Sequence, residues 1–355
     1  MDGTAVVLCD GHLATVNGKT AHGLVRGTDR YRILGVVDAP CAGRDAGEVV
    51  DGTPRGIPVF ASLPEALRSL PEKPDFAVVG VATSGGVFTR GLMSALTEAL
   101  ENGIAIVNGL HQLASEDPAL SRLARENGAT ITDIRRPKRF ADLHFWTGEA
   151  LRLRVPRIAV LGTDCALGKR TTTRLLAAAC RRAGLRAEWI YTGQTGWLQG
   201  TPFGFVLDAT PNDFVSGELE HAVVACAREL APDLILIEGQ SALRNPSGPC
   251  GSELVLSAGA RGVVLQHAPG RKEFDGLEEL GCRIPPVSEE IELIRLFGAR
   301  TLAMTLNGEG LERPALEARR AELEAALGIA VALPLEEGVD RIVPGIARYV
   351  REVGA

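Results

Sequence analysis

Short apolar runs recur along this chain, each followed by a polar turn and then by apolar residues spaced three or four apart. In the first part that pattern predicts strands over residues 5–9, 33–37, 76–81 and 104–107. Helices follow over 63–70, 87–102 and 112–127, the last with a turn at Asp117-Pro118. After a break the alternation restarts. Strands are predicted over 158–161, 188–191, 234–237, 262–266, 301–306 and 329–333, with helices over 169–183, 213–230, 289–297, 313–326 and 339–353. Strand, helix, strand in this rhythm means parallel sheets covered by helices on both faces. The expected fold is α/β with two parallel-sheet domains: a Rossmann-like one over 1–140 and a phosphate-loop one over 141–355.

The break lies between Asp133 and Arg157. Arg135-Arg136-Pro137-Lys138-Arg139 is basic and proline-interrupted, and Leu143-His144-Phe145-Trp146 follows it. This reads as the connection between domains, either a solvated linker or a contributor to an anionic ligand. Trp146 and Trp189 read as core residues.

A chain of 355 residues suits two domains. Its net charge of −6 argues against a nucleic-acid surface. No apolar run reaches the ~18–20 residues that span a bilayer, and Met1-Asp2-Gly3-Thr4 lacks the basic start of a signal peptide. Seven cysteines without a C-x-x-C pair suggest reduced thiols, so a cytoplasmic protein with no metal site is expected. A homo-oligomer is expected as well, because open parallel sheets find partners through exposed helices and edges.

Candidate chemistry concentrates where the 158–161 strand ends. Gly162-Thr163-Asp164-Cys165-Ala166-Leu167-Gly168-Lys169-Arg170-Thr171-Thr172 is a turn, a Gly-Lys pair and a hydroxyl-rich helix start. Loop N–H groups and a helix N-terminus then face an anion, and Lys169 adds a full charge. The standard spacing G-x-x-x-x-G-K-[ST] would place Gly at 163 and Ser or Thr at 170. Thr163 and Arg170 stand there instead. Arginine cannot ligate Mg²⁺, so the loop fits a diphosphate better than magnesium–ATP. Cys165 reads as small apolar filler.

Ligands of open α/β sheets gather beyond the strand C-termini. There the second domain carries Thr192-Gly193-Gln194-Thr195-Gly196, then Glu238-Gly239-Gln240, His267 through Arg271-Lys272, and Asn307. Glu238 ends an apolar strand, in the place of an acid that binds a cation, takes a proton or caps a helix. Asp208, Asp213 and Glu218 lie between. In the first domain Asn17-Gly18-Lys19-Thr20 has no glycine at position 13 and reads as a turn plus helix start. Val37-Asp38 lacks the G-x-G-x-x-G that would make it a dinucleotide site.

The set Gly162–Thr172, Thr192–Gly196, Asp213-Phe214 with Gly217-Glu218-Leu219-Glu220, and Glu238–Gln240 resembles a bacterial family. It was long catalogued as a domain of unknown function and includes DgcN-like D-glutamate N-acetyltransferases. The phosphate loop is also similar to that of dethiobiotin synthetases. The family resemblance spans nearly the whole chain and implies a Rossmann-like N-terminal domain, a P-loop domain and acetyl transfer from acetyl-CoA to the amine of an acidic amino acid, D-glutamate. The family continues Glu-Gly-Gln-Gly-Ser and a histidine, where this chain has Ser241-Ala242-Leu243-Arg244-Asn245-Pro246. If that segment touches the acceptor, substrate choice differs.

Acyl transfer needs a deprotonated amine, a polarised carbonyl and cations on the acceptor's carboxylates. Glu238, Asp213 and Gln240 are the candidate catalytic residues. Gly162, Thr163, Asp164, Gly168, Lys169, Arg170, Thr171, Thr172 and Asn307 are those for the cofactor. Gln194, Thr195, Glu218, His267 and Arg271 are those for the amino acid. Two rival readings remain: an ATP- and Mg²⁺-dependent ligase of the dethiobiotin synthetase type, and a nucleotide- or CoA-binding regulator without turnover.

Overall fold

The computed structural model describes residues 1–354. Its chain divides into two compact units, one of 1–138 with 193–201, the other of 139–192 with 202–355.

The first unit holds a parallel six-stranded sheet: β1 Gly3–Leu8, β2 Tyr31–Val37, β3 Val59–Phe60, β4 Phe76–Val79, β5 Ala105–Asn108 and β6 Ile131–Asp133. The order is β3-β2-β1-β4-β5-β6, that of a Rossmann sheet. Its helices are α1 Lys19–Arg26, α2 Ala46–Asp51, α3 Leu63–Ser69, α4 Arg90–Glu101 and α5 Pro118–Glu126. Two short strands, β3 and β6, escaped the periodicity because runs of two and three residues are too short to show a sustained apolar pattern.

Two helices start later than expected, at the side chains that cap them. Thr89 accepts the N–H of Leu92, so α4 opens at Arg90 rather than 87. Asp117 accepts from Ala119 and Leu120, so α5 opens at Pro118 and a separate 3-10 turn spans Ala114–Glu116. The Asn-Gly-Lys-Thr stretch is the turn and start of α1. Asp38 is buried, and its carboxylate accepts the N–H of Leu13 at 3.0 Å.

The second unit holds β7 Arg157–Gly162, β8 Ala187–Ile190, β9 Leu234–Glu238, β10 Gly262–His267, β11 Arg300–Leu306 and β12 Ala330–Ala332. All pair in parallel, in the order β12-β11-β10-β7-β9-β8. Strands buried on both faces explain continuous apolar runs such as Leu-Ile-Leu-Ile in β9. Helices α6 Lys169–Arg182, α8 Asn212–Leu230, α9 Ser252–Leu256, α10 Val287–Leu296, α11 Arg313–Leu327 and α12 Val343–Gly354 cover the sheet. From β7 the chain turns to one side and later returns to the other, which makes the C-terminal end of β7 the switch point where such sheets bind ligands.

The segment 193–201, with its short helix α7 Gln194–Leu198, belongs to the first unit although the sequence division leaves it in the second. Leu198 is fully buried in the N-terminal core, and the Gln199 amide donates to the carbonyls of Gly23 and Gly27, each at 2.9 Å. Trp146, expected in a core, is half-exposed in the connecting segment, its indole N–H donating to the Ser257 carbonyl at 3.0 Å. Trp189 is buried. Among the described residues no helix is long and apolar enough to cross a membrane.

Candidate functional site

Gly162 ends β7, the loop runs from Thr163 to Gly168, and α6 begins at Lys169. Ala166 takes a left-handed φ of 51°, a strained backbone of the kind that gathers at ligand sites. Among the described residues no acceptor meets the N–H groups of Ala166, Leu167, Gly168 and Lys169. The first turn of α6 carries Lys169 and Arg170 and no acidic residue. Open backbone N–H donors at a helix N-terminus, with cationic side chains beside them, make a cradle for a phosphate group.

Lys169 is buried, with Nζ donating to the Asp164 carbonyl at 2.6 Å. Burial pushes its pKa down to about 8, against the opposing pull of Cys165, Asp164, Cys250 and Glu238. Arg170 and Thr171 are half-buried beside it. Thr172 donates its hydroxyl to the Gln266 side chain at 2.7 Å, and the Gln266 amide donates to the Leu167 carbonyl at 2.6 Å. Asn307 donates to the same carbonyl at 3.0 Å. Gln266, the penultimate residue of β10, and Asn307, which follows β11, thus hold the loop's last turn.

Asp164 is fully buried and its carboxylate is saturated. It accepts from its neighbour's N–H, Cys165, at 2.6 Å, from Asn245 at 3.0 Å, from Arg271 at 2.7 Å and from the Asp275 N–H at 2.8 Å. Arg271 also donates to the Cys165 carbonyl at 2.9 Å and pairs with Glu309 at 2.5 Å. Two residues assigned from sequence to different ligands therefore bind each other. Cys165 is half-buried, its sulfur 3.3 Å from the Ser241 hydroxyl and 3.4 Å from the Asn245 amide.

The Thr163 hydroxyl lies 2.9 Å from Nδ1 of His267. Burial, helped by the Arg319 cation, pushes the His267 pKa down to about 4, so the imidazole is neutral at pH 7. Glu238, the last residue of β9, is buried, and its carboxylate accepts the Thr192 N–H at 3.0 Å. Gly239 admits no side chain: a Cβ there would stand 2.1 Å from the Val160 carbonyl. Gln240 follows half-buried, and Asp213 is exposed in the first turn of α8.

In the first unit, Gln194 accepts from Arg135 at 2.9 Å, and the Thr195 hydroxyl is 3.4 Å from that of Thr20. Glu218 is buried and accepts both the N–H and Nδ1 of His144, at 2.9 and 2.8 Å. Glu220 accepts the Thr147 N–H and hydroxyl at 2.6 and 2.8 Å and the Ala150 N–H at 3.0 Å. A Cβ on Gly217 would meet the His144 carbonyl at 1.9 Å. The Gly-Glu-Leu-Glu motif is thus a clamp that seats the segment 144–150 on α8.

Sequence reasoning missed Gln266 and Asn245. A polar residue closing the apolar strand β10 was a usable signal for Gln266. Nothing local marks Asn245, which is fully buried. It lies in the segment 241–246, where Arg244 also pairs with Glu290 at 2.7 Å and Glu289 at 2.8 Å.

Residues 144–343 match the P-loop domain described as domain of unknown function DUF1611_C, and residues 39–137 match the Rossmann-like domain DUF1611_N. The chain belongs to the DUF1611 family. A relative from Tritonibacter scottomollicae named D-glutamate N-acetyltransferase is 30% identical over 284 residues, covering 76% of this chain and 80% of the relative. A relative of the same name from Pseudoalteromonas sp is 29% identical over 282 residues, with the same 76% and 80% coverage. The crystal structure of a DUF1611 family protein from Anabaena variabilis shares 28% identity and a TM-score of 0.88, covering 98% of this chain and 99% of that one. The family's fold is therefore the fold of this chain, an N-terminal Rossmann-like and a C-terminal P-loop domain.

Proposed function

We propose that the protein transfers an acetyl group from acetyl-CoA to the amine of an acidic amino acid, with D-glutamate as the leading acceptor. The observation that carries this is the likeness, near 30% over most of the chain, to two relatives named for that activity.

The phosphate loop supports the reading. Its unpaired N–H groups at 166–169, with Lys169 and Arg170, fit the diphosphate of a coenzyme A. Bound there, acetyl-CoA would supply an activated acyl group. The rival use of the loop, magnesium–ATP, draws on Asp164, Glu238 and Asn307 and loses from Arg170. Here Asp164 is saturated by protein donors, and the Asn307 amide is spent on the Leu167 carbonyl.

Glu238 is the better candidate to take the amine's proton, because it closes β9 beside the phosphate-loop strand, with Val160 of β7 as its register partner, whereas Asp213 is exposed on α8. Arg271 is not the acceptor's clamp in this reading, since Asp164 and Glu309 already engage it.

The test is release of free thiol from acetyl-CoA with a panel of D- and L-amino acids, followed by mass analysis of the product. N-acetyl-D-glutamate formed with matching thiol release supports the reading. No thiol release with any acidic acceptor ends it.

A further inference from the structure

Far along β7 from the phosphate loop, at the strand's first residue, lies a second cationic feature. Arg157 is only 8% exposed and lines a cavity of about 380 Å³ with Arg154, Gly259, Arg261 and Tyr349. Its Nε donates to the Gly259 carbonyl at 3.3 Å and its Nη1 to the Leu153 carbonyl at 3.2 Å. Among the described residues nothing accepts from its Nη2, and neither Arg154, Arg157 nor Arg261 has a carboxylate partner.

A guanidinium removed from water without a counter-charge is unfavourable, and two further arginines beside it raise the local potential. Among the described residues, the neighbouring carboxylates Glu352 and Asp233 are engaged, pairing with Arg300 at 2.9 Å and with Arg186 at 2.7 Å. Gly259 matters here because a Cβ would stand 3.2 Å from Nη2, so glycine leaves that nitrogen open. A groove of about 680 Å³ adjoins the cavity, sharing Arg154 and Pro156 and adding apolar Leu185, Ala227 and Val350.

We propose that this cavity is a second oxyanion site, in which Arg157 Nη2, with Arg154 and Arg261, holds a phosphate group. The arginine fork suits phosphate oxygens. The phosphate is either free or the head of an amphipath whose apolar part lies in the adjoining groove. This site is separate from the phosphate loop and does not depend on acyl transfer.

Calorimetric titration of the full chain with inorganic phosphate and with octyl phosphate tests it. Lys169→Ala silences the loop, so a remaining phosphate event in that variant reports the second site. Adding Arg261→Glu, an exposed change that should not disturb folding, is expected to weaken that event about tenfold or more, by some 1.4 kcal/mol. Arg157→Met should abolish it, and near-ultraviolet circular dichroism checks its fold. Octyl phosphate binding tenfold tighter than phosphate would identify the amphipath; equal binding would identify the free ion. Loss of all phosphate binding in Lys169→Ala, or indifference of the remaining event to Arg261→Glu, would overturn the proposal.

Discussion

Arg271 donates to the carboxylate of Asp164 across 2.7 Å, and Asp164 is wholly removed from solvent. The pair ties the loop after β10 to the phosphate loop after β7. It turns two apparent ligand-binding residues into parts that shape the cradle.

Breaking that pair should cost far more than losing a surface ion pair, because the remaining carboxylate stays buried, keeps only the Cys165, Asn245 and Asp275 donors and loses its guanidinium partner. Arg271→Met is expected to lower unfolding free energy by about 3–5 kcal/mol. Denaturant melts of both forms would measure it. A loss below about 1 kcal/mol, the range of exposed pairs, would mean that the pair is not structural.

Lys169 has a folded pKa of about 8, below its unfolded value. Below about pH 8 both states hold the proton, so the burial penalty is fully present. Stability should therefore rise from about pH 8 upward, until the unfolded lysine also deprotonates. Anion binding needs the charged form, so CoA affinity should be flat below pH 8 and fall above it, with proton uptake on binding. Titrations in buffers of different ionisation enthalpy would show that uptake. A pH-independent affinity through pH 9.5 would contradict it.

His267 is held neutral with a pKa of about 4, against an unfolded value near 6.5. As pH falls from about 6.5 to 4 the unfolded state gains a proton that the folded state refuses, so stability falls across that window. The contribution is at most about 3 kcal/mol. His267→Asn should flatten the stability profile between pH 6.5 and 4. An unchanged slope would mean that other groups govern acid unfolding.

The clamp on α8 makes a further expectation. Glu220→Ala leaves the N–H groups of Thr147 and Ala150 unpaired, a loss of about 1–3 kcal/mol. Gly217→Ala should be worse, since its Cβ would collide with the His144 carbonyl. Both variants should speed proteolytic cutting in 139–152. Wild-type cleavage rates in both would argue against the clamp.

Much of the fold was legible because parallel strands buried on both faces need continuous apolar runs. All six strands of the second unit lie where such runs fall. The edge strands β3 and β6, two and three residues long, are too short to leave that mark. In the site, the phosphate loop was legible because a strand, a tight turn and a helix start are consecutive in sequence. Glu218 was misleading because a buried acid in a motif looks the same whether it meets a substrate or, as here, His144.

The sequence by itself determined the two α/β halves, the loop and its cations, since each depends on neighbours a few residues away. Only the tertiary structure decided what the loop's polar groups are free to do. Asp164 meets Asn245 and Arg271, and Leu167 meets Gln266 and Asn307, across separations of about a hundred residues. The segment 193–201 joined the first unit in the same way. Such partners are chosen by strand order and burial, which no local pattern of residues encodes.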